Sequence, residues 1–141
     1  MIVVLDTNVV VSAFLSPHGP PARLVDAAVA GHLALAVDGR LLAEYRDVLT
    51  RPEFGFSASD VGVVLGVIAL QARAVTAQPL AVRLPHRDDE PFLEVALAAG
   101  ADALVTGNIR HYPVRTRAGM AVLSPRECYE RLRRASPLGG R

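Results

Sequence analysis

Apolar positions along the chain fall into short unbroken runs that alternate with stretches where they recur every three or four residues. Ile2-Val3-Val4-Leu5 has no polar residue at alternate positions, the pattern of a strand buried on both faces. Val9 to Leu15 reads as a helix, closed by the breaker-rich Ser16-Pro17-His18-Gly19-Pro20-Pro21. A second helix is predicted from about Ala22 to Ala30, with Pro21 suited to its first turn and Gly31 stopping it. Leu24, Ala27 and Ala28, joined by Val25, face inward, and Leu33 to Val37 follows as a second strand.

Asp38 is placed to cap a third helix that runs to about Leu49, with Leu41, Leu42, Tyr45, Val48 and Leu49 in one stripe and Glu44 beside it. After the break at Arg51-Pro52-Glu53-Phe54-Gly55, Ser57 or Ser59 caps a helix reaching roughly Arg73. Its apolar residues from Val61 to Leu70 surround it almost completely, which predicts burial on more than one side or a surface for self-association. Leu80 to Leu84 reads as a short strand, with Val75 to Arg83 ambiguous.

Asp88 and Asp89 precede the series Phe92, Leu93, Val95, Ala96, Leu97, a helix ended by Gly100. Ala103-Leu104-Val105-Thr106 is a buried strand stopping at Gly107-Asn108, Met120 to Leu123 is the last strand, and Ser124-Pro125 opens the final helix. Strands alternating with helices predict an α/β fold, a parallel sheet flanked by helices on both faces. One domain over residues 1–134 is expected, with 135–141 as a frayed tail.

Composition agrees with one packed domain. Of 141 residues, 51% are apolar and 21% charged, far from the disordered class; a chain of this size buries about two-thirds of its unfolded surface. A net charge of +1 singles out no partner, but all 15 basic residues are Arg, the side chain suited to forked phosphate contacts. With Cys128 the only cysteine there is no intrachain disulfide, and a reducing cytoplasm is the expected setting. The first apolar run is cut at Asp6 and the longest spans ten residues, short of the roughly twenty that cross a bilayer, so neither secretory signal nor membrane span is expected.

Three polar positions share one structural address. Asp6 ends the first strand, Asn108 follows a later one, and Asp89 opens the helix between two strands. Parallel strands bring such ends together, at the edge where α/β sheets bind ligands. Each residue taken alone is also an ordinary helix cap, and Asp88 is an alternative to Asp89 if the register shifts by one. Converging acids repel and raise one another's pKa, and a hard divalent cation such as Mg²⁺ relieves the repulsion with oxygen ligands alone. No zinc-type spacing of His or Cys and no phosphate-binding P-loop occurs. An aspartyl phosphohydrolase would want a second acid two residues after Asp6, where Asn8 stands.

Asp6-Thr7-Asn8, Glu44 in Leu42-Ala43-Glu44-Tyr45, Asp89 ahead of Phe92-Leu93-Glu94-Val95-Ala96, and Val105-Thr106-Gly107-Asn108 together resemble a PIN domain. The similarity covers nearly the whole chain and is greatest to toxin components of bacterial toxin-antitoxin systems, relatives of the VapC toxins. The resemblance implies a Mg²⁺- or Mn²⁺-dependent ribonuclease with Asp6, Glu44 and Asp89 at the acidic metal-binding positions. Asn108 stands where many members carry a fourth acid, which points toward one metal or weak metal affinity. Thr7, Asn8 and Thr106 are expected to support the site through hydrogen bonds. Arg87, Arg110 and His111 flank the acids and are candidates for RNA phosphates. The implied partners are RNA, a cognate antitoxin protein and a second copy of the chain. The alternative is a PIN module that binds RNA or protein without efficient cleavage.

Overall fold

The computed structural model describes residues 1–135. Five strands, β1 (Ile2–Leu5), β2 (Ala34–Val37), β3 (Arg73–Ala74), β4 (Ala103–Val105) and β5 (Val122–Leu123), form one sheet in the order β3-β2-β1-β4-β5. Every pairing is parallel, with Val3 opposite both Leu35 and Ala103, and Leu5 opposite Val105. Six helices cover the sheet on both faces: α1 (Thr7–Leu15), α2 (Pro20–Val29), α3 (Gly39–Leu49), α4 (Ala58–Gln71), α5 (Glu90–Ala99) and α6 (Pro125–Ala135). α5 packs across β1, β2 and β4, while α6 covers β4 and β5. Among the described residues no helix is long and apolar enough to cross a membrane.

The chain moves outward from β1 to β2 to β3, then returns to the other side of β1 to lay down β4 and β5. That reversal opens a crevice beyond the carboxyl ends of β1 and β4, the position where parallel sheets bind ligands. The β1 residues Val3, Val4 and Leu5 are fully buried, as a central strand under two layers of helix must be. Local caps begin the helices where the sequence places them. Asp38 accepts from the amides of Arg40 and Leu41 at 3.0 and 3.2 Å, and Ser57, not Ser59, accepts from Asp60 at 3.2 Å. Ser124 and Glu127 exchange hydrogen bonds in a capping box that opens α6. Gly100 ends α5 in the left-handed conformation, φ 58°, which a side chain would strain.

The structure departs from the sequence reading between α4 and α5. Residues 80–84 are not a strand; the third strand is Arg73–Ala74, just after α4 ends at Gln71. Leu80 and Leu84 are buried anchors four residues apart, not the alternating face of a strand. Their amides donate to side chains instead of a ladder: Leu80 to Glu94 Oε2 at 3.1 Å and Leu84 to Glu90 Oε2 at 3.0 Å. The remaining oxygens of these buried acids take Arg40 and Arg83, each at 2.8 Å. α4 differs too, since only Val61, Leu65 and Ile68 are buried while Val63 and Leu70 are exposed. One stripe at helical spacing suffices to dock it. α6 continues through Ala135, one residue past the expected boundary, and the rest of the expected tail, 136–141, lies outside the described residues.

Glu94 thus ties the β3–α5 loop and Arg40 of α3 to α5. Replacing Glu94 by Ala leaves the Leu80 amide buried without a partner, and urea unfolding is expected to show a loss of about 2 kcal/mol, with Glu94→Gln losing less. A loss below about 0.5 kcal/mol, the scale of an ordinary surface substitution, would contradict this role of Glu94.

Candidate active site

β1 delivers Asp6 to the crevice because the β1–β4 ladder continues one residue past the strand, the Asp6 amide donating to the Val105 carbonyl at 2.9 Å. Asp6 stands at the N-cap of α1, yet its side chain makes no capping hydrogen bond. Its Oδ2 instead accepts from the hydroxyls of Thr106 at 2.9 Å and Tyr112 at 3.1 Å. Asp6 is 4% exposed, and a charge that deep is tolerated only with partners.

Asp89 repeats the arrangement. It ends a 3₁₀ turn, Arg87–Asp89, at the N-cap of α5, again with no side-chain cap. Its Oδ2 accepts from His111 Nδ1 at 2.9 Å. Burial pushes the Asp89 carboxyl above its ordinary range, the charge of Asp6 pushes it further, and His111 and then His86 oppose the shift. Asp89 therefore feels the charge of Asp6.

Glu44 comes from α3, and the Thr7 hydroxyl donates to its Oε2, joining the first turn of α1 to α3. The fully buried Tyr112 hydroxyl is held protonated by burial first, then by the charges of Asp6 and Asp89, with Glu44 adding a smaller push. Tyr112 thus lies within electrostatic reach of all three acids. Each of them has one oxygen taken by a protein donor, and the other, Oδ1 of Asp6, Oε1 of Glu44 and Oδ1 of Asp89, receives none from the described residues.

The floor of the crevice is a small hydrogen-bond network. The buried Thr106 hydroxyl donates to Asp6 and accepts from the Asn108 amide at 3.0 Å and from Asn8 Nδ2 at 3.4 Å. Asn8 Oδ1 accepts from the Gly107 amide at 2.8 Å. A Cβ on Gly107 would stand 3.1 Å from Asn8 Oδ1, so glycine permits the end of β4 to approach α1 this closely. Tyr45, a core residue, donates to the Leu5 carbonyl at 2.6 Å and braces β1 from α3.

Asp6, Asn8 and Thr106 belong to this network, while Thr7 with Glu44 and His111 with Asp89 form separate hydrogen-bonded pairs. Asn108 is exposed and its side chain makes no hydrogen bond among the described residues. Asp88 is also exposed and lines a groove of about 190 Å³ with Glu44, Arg40, Arg87 and Phe92. Arg87 and Arg110 are exposed and form no ion pair among the described residues. His111 turns its Nδ1 inward to Asp89. Tyr112 carries no signal as one of a few scattered aromatics, although it shares the strand-end address of Thr106 and Asn108.

The donor set is all oxygen, which suits a hard divalent cation. Among the described residues no three His, Cys, Asp or Glu side chains are grouped closely enough to hold an ion between them. Magnesium is commonly held by one or two carboxylates with the remaining positions filled by water and substrate phosphate. The open oxygens of Asp6 and Asp89 fit that mode of binding.

Comparison with curated proteins finds no match to the chain. Solved structures share its fold. A chain of the VapBC2 complex from Rickettsia felis, bound to a DNA fragment from the complex's promoter, superposes with a TM-score of 0.58 at 16% identity, over 88% of this chain and 98% of that one. A chain of FitAcB from Neisseria gonorrhoeae gives 0.54 at 18% identity, over 87% and 97%. A chain of FitAB bound to an IR36 DNA fragment gives 0.53 at 16%, over 87% and 94%. The PIN domain family matches residues 2–110, a span that takes in Asp6, Glu44, Asp89 and Asn108, and the chain belongs to that family.

Proposed function

We propose that the protein is a Mg²⁺- or Mn²⁺-dependent endoribonuclease that acts in the cytoplasm as the toxin of a toxin-antitoxin pair. One observation carries the reading: Asp6 and Asp89 both stand at helix starts, forgo the cap, and turn into one crevice with a buttressed oxygen and an open one. An acid that merely starts a helix spends its side chain on the backbone, as Asp38 does here. Membership of the PIN domain family implies nuclease chemistry, and the fold likeness to chains of VapBC and FitAB complexes supports a protein antitoxin as partner.

Asp6 and Asp89 would hold the cation directly, with Glu44 and Asn108 beside them as oxygen donors that reach it through coordinated water. When bound, a divalent ion neutralises charge on a scissile phosphate and acidifies a coordinated water. The chain's own residues do the rest. Thr106 and Tyr112 fix the Asp6 carboxylate, Thr7 fixes Glu44, and the buried β1–β4 floor excludes bulk water from beneath the acids. Arg87 and Arg110, exposed and without an ion pair among the described residues, would offer charge to flanking RNA phosphates. Exposure of Val63 and Leu70 on α4 supports self-association there; a monomer in light scattering at micromolar concentration would remove that part of the reading.

Asp6→Asn and Asp89→Asn are each expected to lower Mn²⁺-dependent RNA cleavage by at least the roughly 100-fold that marks the upper end for outer-shell partners. Cleavage at the parent rate by both variants would sink the assignment. The exposed Asn108, in place of a fourth acid, favours a second reading in which the module binds RNA or protein and cuts poorly. Asn108→Asp separates the two: a gain in cleavage of about tenfold or more, ~1.4 kcal/mol of barrier, marks the parent as a weakened catalyst, and an unchanged rate favours the full enzyme.

A further inference from the structure

We infer that His111 and Tyr112, consecutive residues of the segment after β4, act as a clamp that sets the separation and orientation of Asp89 and Asp6. The inference rests on the metal-centre reading above and deepens it: these are positioning residues, and neither is assigned to the cation itself. His111 Nδ1 stands 2.9 Å from Asp89 Oδ2 and the Tyr112 hydroxyl 3.1 Å from Asp6 Oδ2. The two acids come from different elements more than eighty residues apart in sequence, and one peptide unit joins the groups that hold them. With carboxylates as acceptors, the Nδ1–H and the phenol O–H are the donors.

A clamp needs a stiff backbone, and this one is closed on both sides. The His111 amide donates to the Asn108 carbonyl and the Tyr112 amide to the Ile109 carbonyl, each at 3.0 Å. Arg117 Nε reaches back to the Tyr112 carbonyl at 2.7 Å. The teeth are stiff as well: Tyr112 is fully buried, and the His111 ring packs against His86 with centroids 4.2 Å apart and planes inclined by 37°. Asp6 and Asp89 repel each other, so without fixed donors their carboxylates would turn apart or toward water. Both teeth seize the Oδ2 atom and leave Oδ1 open. Outer-shell partners of this kind orient ligands and tune metal affinity.

Calorimetric titration of the intact protein with Mn²⁺, with no RNA present, tests the clamp. His111→Ala and Tyr112→Phe are each expected to weaken Mn²⁺ binding by about 10- to 100-fold. Tyr112→Phe keeps the buried ring and removes only the hydroxyl, and His111→Asn, whose amide places an N–H near the position of Nδ1, is expected to restore most of what His111→Ala loses. Binding at parent affinity by His111→Ala and Tyr112→Phe, alongside loss in Asp6→Asn and Asp89→Asn, overturns the clamp and leaves the metal centre standing. Failure of His111→Asn to restore binding assigns His111 to packing against His86 and also overturns it. Parent-like binding by Asp6→Asn and Asp89→Asn defeats the metal centre itself, and the clamp with it.

Discussion

The hydrogen bond from the Asp6 amide to the Val105 carbonyl is the joint on which the rest of the crevice depends. It carries the β1–β4 pairing one residue beyond β1, so the first residue that leaves the core is held by the sheet and not by a loop. Everything near it is then fixed in register. Thr106, next after Val105, meets Asp6 from the neighbouring strand, and Gly107 meets Asn8 from α1. Burial raises the energetic cost of the Asp6 charge, and the same burial makes the two hydroxyl donors on its Oδ2 effective. The sheet thereby provides both the problem of a buried acid and its partial solution, leaving one oxygen open to the crevice.

Much of this architecture was legible because strand and helix periods differ. Unbroken apolar runs at Ile2 to Leu5 and Ala103 to Val105, each closed by polar turn residues, read as central parallel strands, and the caps at Asp38, Ser57 and Ser124 lie where short polar side chains precede periodic stretches. The loop before α5 was not legible. Leu80 and Leu84 look like strand residues in isolation, and their true partners, Glu94 and Glu90, lie inside a helix that periodicity alone reads as a plain amphipathic one. A carboxylate that replaces a strand ladder leaves no mark on hydrophobic pattern.

The candidate site divides in the same way. Asp6, Glu44, Asp89 and Thr106 can be picked out by their address at strand and helix ends, but sequence does not say whether an acid at a helix start caps it. Geometry separates the cases: Asp38 gives one carboxylate oxygen to two α3 amides, whereas Asp6 and Asp89 give none to their helices and accept from side chains across the crevice. Tyr112 and His111 carry no mark as partners because a hydrogen bond across 106 residues, or across the 22 that span α5 and β4, has no local signature. Their neighbourhood was the available clue, since both follow β4, as Thr106 does.

The proposed cation site is built on Asp6 and Asp89, each with one buttressed and one open oxygen, with Glu44 beside them. Anomalous diffraction from crystals soaked in Mn²⁺ tests it most directly. The account predicts one strong peak in the crevice, within coordination distance of Asp6 Oδ1 and Asp89 Oδ1, with Tyr112 and His111 still bonded to the opposite oxygens. A peak elsewhere, or a manganese-saturated crystal whose crevice holds no ion, would contradict it.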